Sequence, residues 1–162
     1  MNKKLIIGII VVIGIIFFQE EKNVQFSTTP LLIASPVAQP KAVVYKSPTC
    51  GCCELYANYL EDRGMDVEII STNDSDMDSI KKQYGIPEGK ESCHTTVVGD
   101  YVVEGHVPIE VIEKLVSEKP ALRGIGLANM PSGSPGMPGA KQGLFQIYGF
   151  TEDGNTSMYI EL

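Results

Sequence analysis

The sequence predicts an α/β domain in which a central sheet is flanked by helices and a β-hairpin is added at the C-terminal end. Short apolar runs alternate with amphipathic stretches from Ala42 onward, which is the rhythm of strands followed by helices. Glycine and proline punctuate these segments where turns and helix ends are needed. The 162 residues, 43% of them hydrophobic, suffice for one ordinary domain with appendages.

The predicted elements follow one another in the order β-α-β-α-β-β-α. Ser47-Pro48-Thr49 ends the first strand, and Gly64 and Gly85 end the first two helices. Gly99-Asp100 forms a tight turn between the third and fourth strands. The predicted strands cover 42–46, 67–71, 95–98 and 101–104, and the predicted helices cover about 52–63, 77–84 and 109–117. This order is the thioredoxin-like arrangement, in which the active cysteines open the first helix.

Each predicted helix carries one apolar stripe that can face the sheet. The stripes consist of Leu55, Tyr56, Tyr59 and Leu60, then Met77, Ile80 and Tyr84, and finally Ile109, Ile112, Leu115 and Val116. Residues 124–143, rich in glycine and proline, are predicted to form a loop. The alternating residues of 144–160 around Asp153-Gly154 predict the added hairpin.

The N-terminus predicts export from the cytoplasm. Lys3 and Lys4 precede residues 5–18, which contain no polar or charged side chain. This run spans about 21 Å as a helix, less than a hydrocarbon core of about 30 Å, and that length suits a signal peptide. Residues 17–19 are Phe, Phe and Gln rather than the small residues of a cleavage site, which favours an uncleaved anchor. By the positive-inside rule, the chain from Glu20 onward lies on the periplasmic or cell-surface side.

The predicted organisation therefore has three parts: a signal or anchor segment at 1–19, a linker or stalk at 20–41, and the folded domain at 42–162. The stalk contains Pro30, Pro36 and Pro40 and shows no sustained hydrophobic period. The net charge of -7, without a basic stripe, excludes nucleic acid as an expected partner because like charges repel the phosphate backbone.

The four cysteines stand in two places only, Cys50-Gly51-Cys52-Cys53 and Cys93-His94. Unpaired N–H groups at the start of a helix favour thiolates, which are both nucleophiles and soft metal ligands. Three interpretations stay open at this point. The cysteines bind a metal ion, they form two disulfides such as Cys50–Cys53 and Cys52–Cys93, or Cys50 and Cys53 act as the attacking and resolving thiols of a thiol-disulfide oxidoreductase.

Copper(I) is favoured over zinc as the bound ion. Three thiols crowd one helix start, whereas a structural zinc site usually draws paired ligands at short spacing from two loops. His94 and His106 are further candidate ligands, with strand capping and a structural loop histidine as the alternatives. Met130 and Met137 carry thioethers suited to copper(I), although methionine is also a flexible filler of apolar surface.

Four motifs, in order, resemble the CopG-type copper-resistance family, long catalogued as a domain of unknown function. They are YKSPTCGCC at 45–53, SCHT at 92–95, EGHVP at 104–108 and MPSGSPGM at 130–137. The resemblance covers about residues 42–138 and implies an exported, thioredoxin-like protein with Cys50, Cys52, Cys53, Cys93 and His94 as copper ligands. The expected function is extracytoplasmic copper(I) binding in copper homeostasis or resistance. The expected partners are the metal ion, other copper-handling proteins and, through the N-terminal segment, the membrane.

Overall fold

The computed structural model describes residues 40–162, so the predicted anchor and nearly all of the predicted stalk lie outside the described residues. Within this range the helices are α1 (Gly51–Glu61), α2 (Asp74–Gln83) and α3 (Ile109–Glu118). The strands are β1 (Ala42–Lys46), β2 (Val67–Ser71), β3 (His94–Val98), β4 (Tyr101–Glu104), β5 (Gly124–Gly126), β6 (Gln146–Phe150) and β7 (Thr156–Glu161). No helix in residues 40–162 combines the length and the apolar character needed to cross a membrane.

The strands form one sheet in the order β2-β1-β3-β4-β5-β6-β7. β1 is parallel to β2 and antiparallel to β3, and β3 is antiparallel to β4. Together with three helices in the predicted chain order, these four strands have the thioredoxin-like arrangement. The predicted fold class is therefore confirmed.

The C-terminal hairpin extends the central sheet through a strand that was not predicted. β5 lies within the predicted loop of 124–143, pairs in parallel with β4, and is antiparallel to β6. Glycine is depleted in strands, so the sequence Gly-Ile-Gly gave no strand signal. The close approach of neighbouring strands explains the glycine, since a Cβ on Gly124 would lie 2.1 Å from the carbonyl oxygen of Val102.

Of the eleven residues in the predicted helix stripes, six are buried, four are partly buried and one is exposed. Tyr56, Leu60, Ile112 and Leu115 are all fully buried in one core cluster. α2 begins at Asp74, three residues before its predicted start, because the Asn73 side chain caps it and accepts a hydrogen bond from the Asp76 N–H. The predicted face of α1 is only partly buried, since Leu55 is 56% exposed.

Candidate metal centre

The strand register explains why the two cysteine-containing segments meet. Lys46, the last residue of β1, pairs with His94, the first residue of β3. The segment that follows β1 therefore lies beside the segment that precedes β3. The first segment carries Cys50 as the N-cap residue of α1, with Cys52 and Cys53 in the first turn, and the second carries Cys93.

All four cysteine sulfurs lie within 4.8 Å of one another. Cys50 and Cys53 form a disulfide, whereas Cys52 and Cys93 are free. The Cys52 Sγ lies 3.5 Å from the Cys50 Sγ and 4.0 Å from the Cys93 Sγ. Of the two bridges considered from the sequence, the structure therefore contains Cys50–Cys53 and lacks Cys52–Cys93.

Cys93 also belongs to a second group of potential ligands, formed with His94 and His106. Its Sγ lies 3.3 Å from the His94 Nδ1 and 3.2 Å from the His106 Nε2. The His106 Nδ1 donates a hydrogen bond to the carbonyl oxygen of Pro135 at 2.7 Å, because a carbonyl can only accept. In a neutral imidazole this leaves the lone pair of Nε2 directed at Cys93.

Burial sets the protonation of this second group. It raises the pKa of the Cys93 thiol to about 12, with a further contribution from nearby Cys52. Burial also lowers the pKa of His94 well below its usual value, assisted by His106 and Lys81, and it lowers the pKa of His106. Both imidazoles are therefore neutral near neutral pH, which is the form that binds metal ions. The Nε2 of His94 is buried and has no hydrogen-bond partner in the described structure.

The loop of residues 130–137 packs on the start of α1, close to the cysteines. A Cβ on Gly136 would lie 2.7 Å from the Tyr56 nitrogen and 2.9 Å from the Cys52 carbonyl oxygen. Met137 follows Gly136 directly and is half-buried, whereas Met130, at the start of the loop, is 37% exposed. The loop thus reaches the site through Pro135 and Gly136, and metal contact by either methionine stays a prediction.

Sequence reasoning missed a buried ion pair beside the site. Glu104, at the end of β4, is fully buried and pairs with Lys81 of α2 at 2.5 Å. Burial raises the pKa of Glu104, while the Lys81 ammonium opposes that shift. The available signal was a charged residue closing the apolar run Tyr101–Glu104, directly before Gly105-His106.

The fold and the site define a thioredoxin-like domain with a cysteine and histidine cluster at the start of its first helix. Residues 90–137 match the family model described as "Protein of unknown function, DUF411". Two solved structures of "Copper resistance protein copG", Form 1 and Form 2, are each 37% identical to the chain. Each covers 76% of this chain and is matched over 98% of its own length, with TM-scores of 0.70 and 0.69. The chain belongs to the CopG-type copper-resistance family. No curated protein matches the sequence significantly.

Proposed function

We propose that this protein is an extracytoplasmic copper(I)-binding protein that acts in copper homeostasis or resistance. The observation that carries the proposal is the convergence at Cys93, whose sulfur lies 4.0 Å from the Cys52 sulfur and 3.2 Å from the His106 Nε2. Thiolates and neutral imidazoles are ligands that copper(I) accepts readily. The likeness to a copper resistance protein over 76% of the chain supports the same conclusion.

The distribution of ligands favours copper(I) over zinc. A closed zinc site is tetrahedral and uses four ligands around one ion. Here six residues form two overlapping groups that share Cys93, so its sulfur is placed to contact ions in both. A thiolate-rich cluster that holds more than one copper(I) uses all of these donors, whereas a single zinc ion leaves part of them unused.

Reduction of the Cys50–Cys53 disulfide is the first requirement for a complete site. The thiolate is the form of cysteine that binds metal ions, and a bridged sulfur is not a thiolate. In the described state only Cys52 and Cys93 offer free thiols. The bridge and the metal therefore compete for the same sulfur atoms.

A titration of the reduced full-length protein with copper(I), against a copper(I)-specific chelator, tests this function. We expect Cys93→Ser to weaken binding by at least about tenfold, since both ligand groups lose their shared sulfur. Met137→Leu tests the loop methionine, and Met158→Leu is its control because Met158 lies in β7 and is 55% exposed. Equal copper(I) affinity of Cys93→Ser and wild type would reject the proposal, and tighter binding of zinc than of copper(I) would reject the choice of ion.

A second function, thiol-disulfide exchange, is supported by the Cys50–Cys53 bridge itself. The bridge lies at the N-terminus of α1, and the free Cys52 Sγ is 3.5 Å from the Cys50 Sγ. Reduction of a substrate disulfide would begin with attack by the Cys50 thiolate and end with Cys53 closing the bridge, so that the substrate leaves as two thiols. Metal-free protein assayed by insulin reduction decides this, and a rate equal to that of a Cys50→Ser, Cys53→Ser variant would refute exchange activity.

The extracytoplasmic setting is proposed from residues 5–18 and their flanking lysines, which lie outside the described residues. The same segment would anchor the chain in the membrane, where other copper-handling proteins are expected partners. A C-terminal fusion to a phosphatase that folds only outside the cytoplasm tests the location. An intact fusion without phosphatase activity, or one no more active than a variant lacking residues 5–18, would contradict it. The intact mass of the purified protein shows whether residues 1–19 are retained.

A further inference from the structure

The buried carboxylate of Glu104 accepts hydrogen bonds from three different segments. Its Oε1 accepts from the Lys81 Nζ at 2.5 Å and from the Ser92 backbone N–H at 2.6 Å. Its Oε2 accepts from the Thr95 Oγ1 at 2.6 Å, and the Lys81 Nζ also donates to that hydroxyl at 3.1 Å. We call this set of four residues the Glu104 clamp.

The clamp holds both ends of the dipeptide Cys93-His94. Ser92 directly precedes Cys93 and Thr95 directly follows His94, and each donates a hydrogen bond to the same carboxylate. A charge-assisted hydrogen bond is stronger and shorter than a neutral one, so this attachment is more rigid than an ordinary loop contact. Two adjacent ligand candidates, of which Cys93 belongs to both groups, are therefore fixed by one side chain that is not itself a member of either group.

Gly105, which follows Glu104, links the third ligand candidate, His106, to the same segment. Gly105 donates its N–H to the His94 carbonyl at 3.1 Å, and His106 follows. A Cβ on Gly105 would lie 2.6 Å from the Ser92 Oγ, so the two segments approach each other more closely than any other residue type permits. These contacts hold the segment that carries His106 against the segment that carries Cys93 and His94.

We propose that Glu104 is a positioning residue of the metal centre, which sets the placement of Cys93 and His94 through Ser92 and Thr95. Lys81 supplies the balancing charge from α2, since both partners of this pair are buried. The proposal rests on the proposed copper(I) function and adds to it a group that touches no metal ion. Partners of this kind typically alter metal affinity by about 10- to 100-fold when they are lost.

Two adjacent threonines of β3 provide a matched test. Thr95→Val removes the hydrogen bond donated to Glu104 and the one accepted from Lys81, keeps the side-chain shape and leaves the Lys81–Glu104 pair intact. Thr96→Val is the control, because the Thr96 Oγ1 is equally buried but has no hydrogen-bond partner in the described structure. The double variant Lys81→Met, Glu104→Gln removes the clamp charge without leaving an unpaired ammonium ion.

Each variant is measured in three ways. These are its copper(I) affinity, the near-ultraviolet sulfur-to-copper absorption of the loaded protein, and the urea midpoint of the metal-free protein. We expect Thr95→Val to lower the affinity by roughly fivefold to tenfold and to alter the absorption, and Thr96→Val to match wild type. We expect the double variant to lose about 10- to 100-fold. The urea midpoint shows which variants are folded. If the double variant does not fold, the result for Thr95→Val alone tests the proposal.

The proposal is overturned if folded Thr95→Val shows the affinity and absorption of Thr96→Val. Cys93→Ser, titrated in parallel, separates this failure from failure of the function itself. If Cys93→Ser loses affinity and Thr95→Val does not, copper(I) binding stands and the clamp is wrong. If Cys93→Ser binds as wild type does, the proposed function fails, and the clamp proposal fails with it.

Discussion

A methyl group added at Gly136 should separate the loop of 130–137 from α1. The new Cβ would meet the Tyr56 nitrogen at 2.7 Å and the Cys52 carbonyl oxygen at 2.9 Å, and neither backbone atom can withdraw without moving the helix. Overpacking of this kind costs about 1–3 kcal/mol. Gly136 also has φ +77°, and alanine in that conformation costs a further ~1–2 kcal/mol. We therefore expect Gly136→Ala to lower the free energy of unfolding by about 2–5 kcal/mol.

Gly143→Ala is the control that isolates the packing contribution. Gly143 has φ +78°, and a Cβ there would have no atom within 4 Å, so only the cost of about 1–2 kcal/mol for the backbone conformation remains. Urea unfolding of both variants, under identical redox conditions and with the denaturant slope compared, measures the difference. Equal losses in the two variants would show that the loop does not rest on α1. The hydrogen bond that orients His106 would then have no rigid support.

Three further predictions concern the surroundings of the site. Tyr56→Phe removes the buried hydroxyl that donates to a backbone carbonyl at 2.9 Å, and it should cost about 1 kcal/mol in urea unfolding; no change would mean that the bond is absent in solution. Lys81→Met leaves Glu104 buried without its cation and should cost about 3–5 kcal/mol, against less than about 0.5 kcal/mol for exposed Lys82→Met. If both variants lost a similar free energy of unfolding, the Lys81–Glu104 pair would have to be exposed to solvent rather than buried. Nitrogen-15 NMR of the metal-free protein near neutral pH should show His106 protonated on Nδ1, and a spectrum with the proton on Nε2 would contradict the hydrogen bond drawn to the loop.

The elements with strong local signals were predictable from the sequence. β1, β2 and β4 have the predicted bounds, because each is an apolar or alternating run closed by turn residues. The first residues of α2 carry no apolar stripe, so the predicted helix began only at Met77. β5 was missed for a different reason, since its two glycines are required by neighbours that come from distant parts of the chain.

In the site too, contacts that follow from the order of elements were predictable, and contacts that depend on distant neighbours were not. The approach of Cys93 to the other cysteines follows from the predicted strand order, because β1 and β3 are neighbours in a thioredoxin-like sheet. The contact between Cys93 and His106 does not follow from the strand order. It depends on the close approach of Gly105 to Ser92 and on the hydrogen bond from His106 to the Pro135 carbonyl. The Lys81–Glu104 pair joins residues from a helix and a strand, and neither hydrophobic periodicity nor motif spacing encodes such a contact.

The disulfide affects the two ligand groups unequally. Cys50 and Cys53 both belong to the four-sulfur group, and neither belongs to the group of Cys93, His94 and His106. Closing the bridge therefore removes two thiolates from the first group and no ligand atom from the second. Under the proposed function, oxidation would reduce the number of copper(I) ions held rather than abolish binding. Complete loss of copper on oxidation would instead require the second group to depend on the first, and the 4.0 Å approach of Cys52 to Cys93 is the contact through which it would do so.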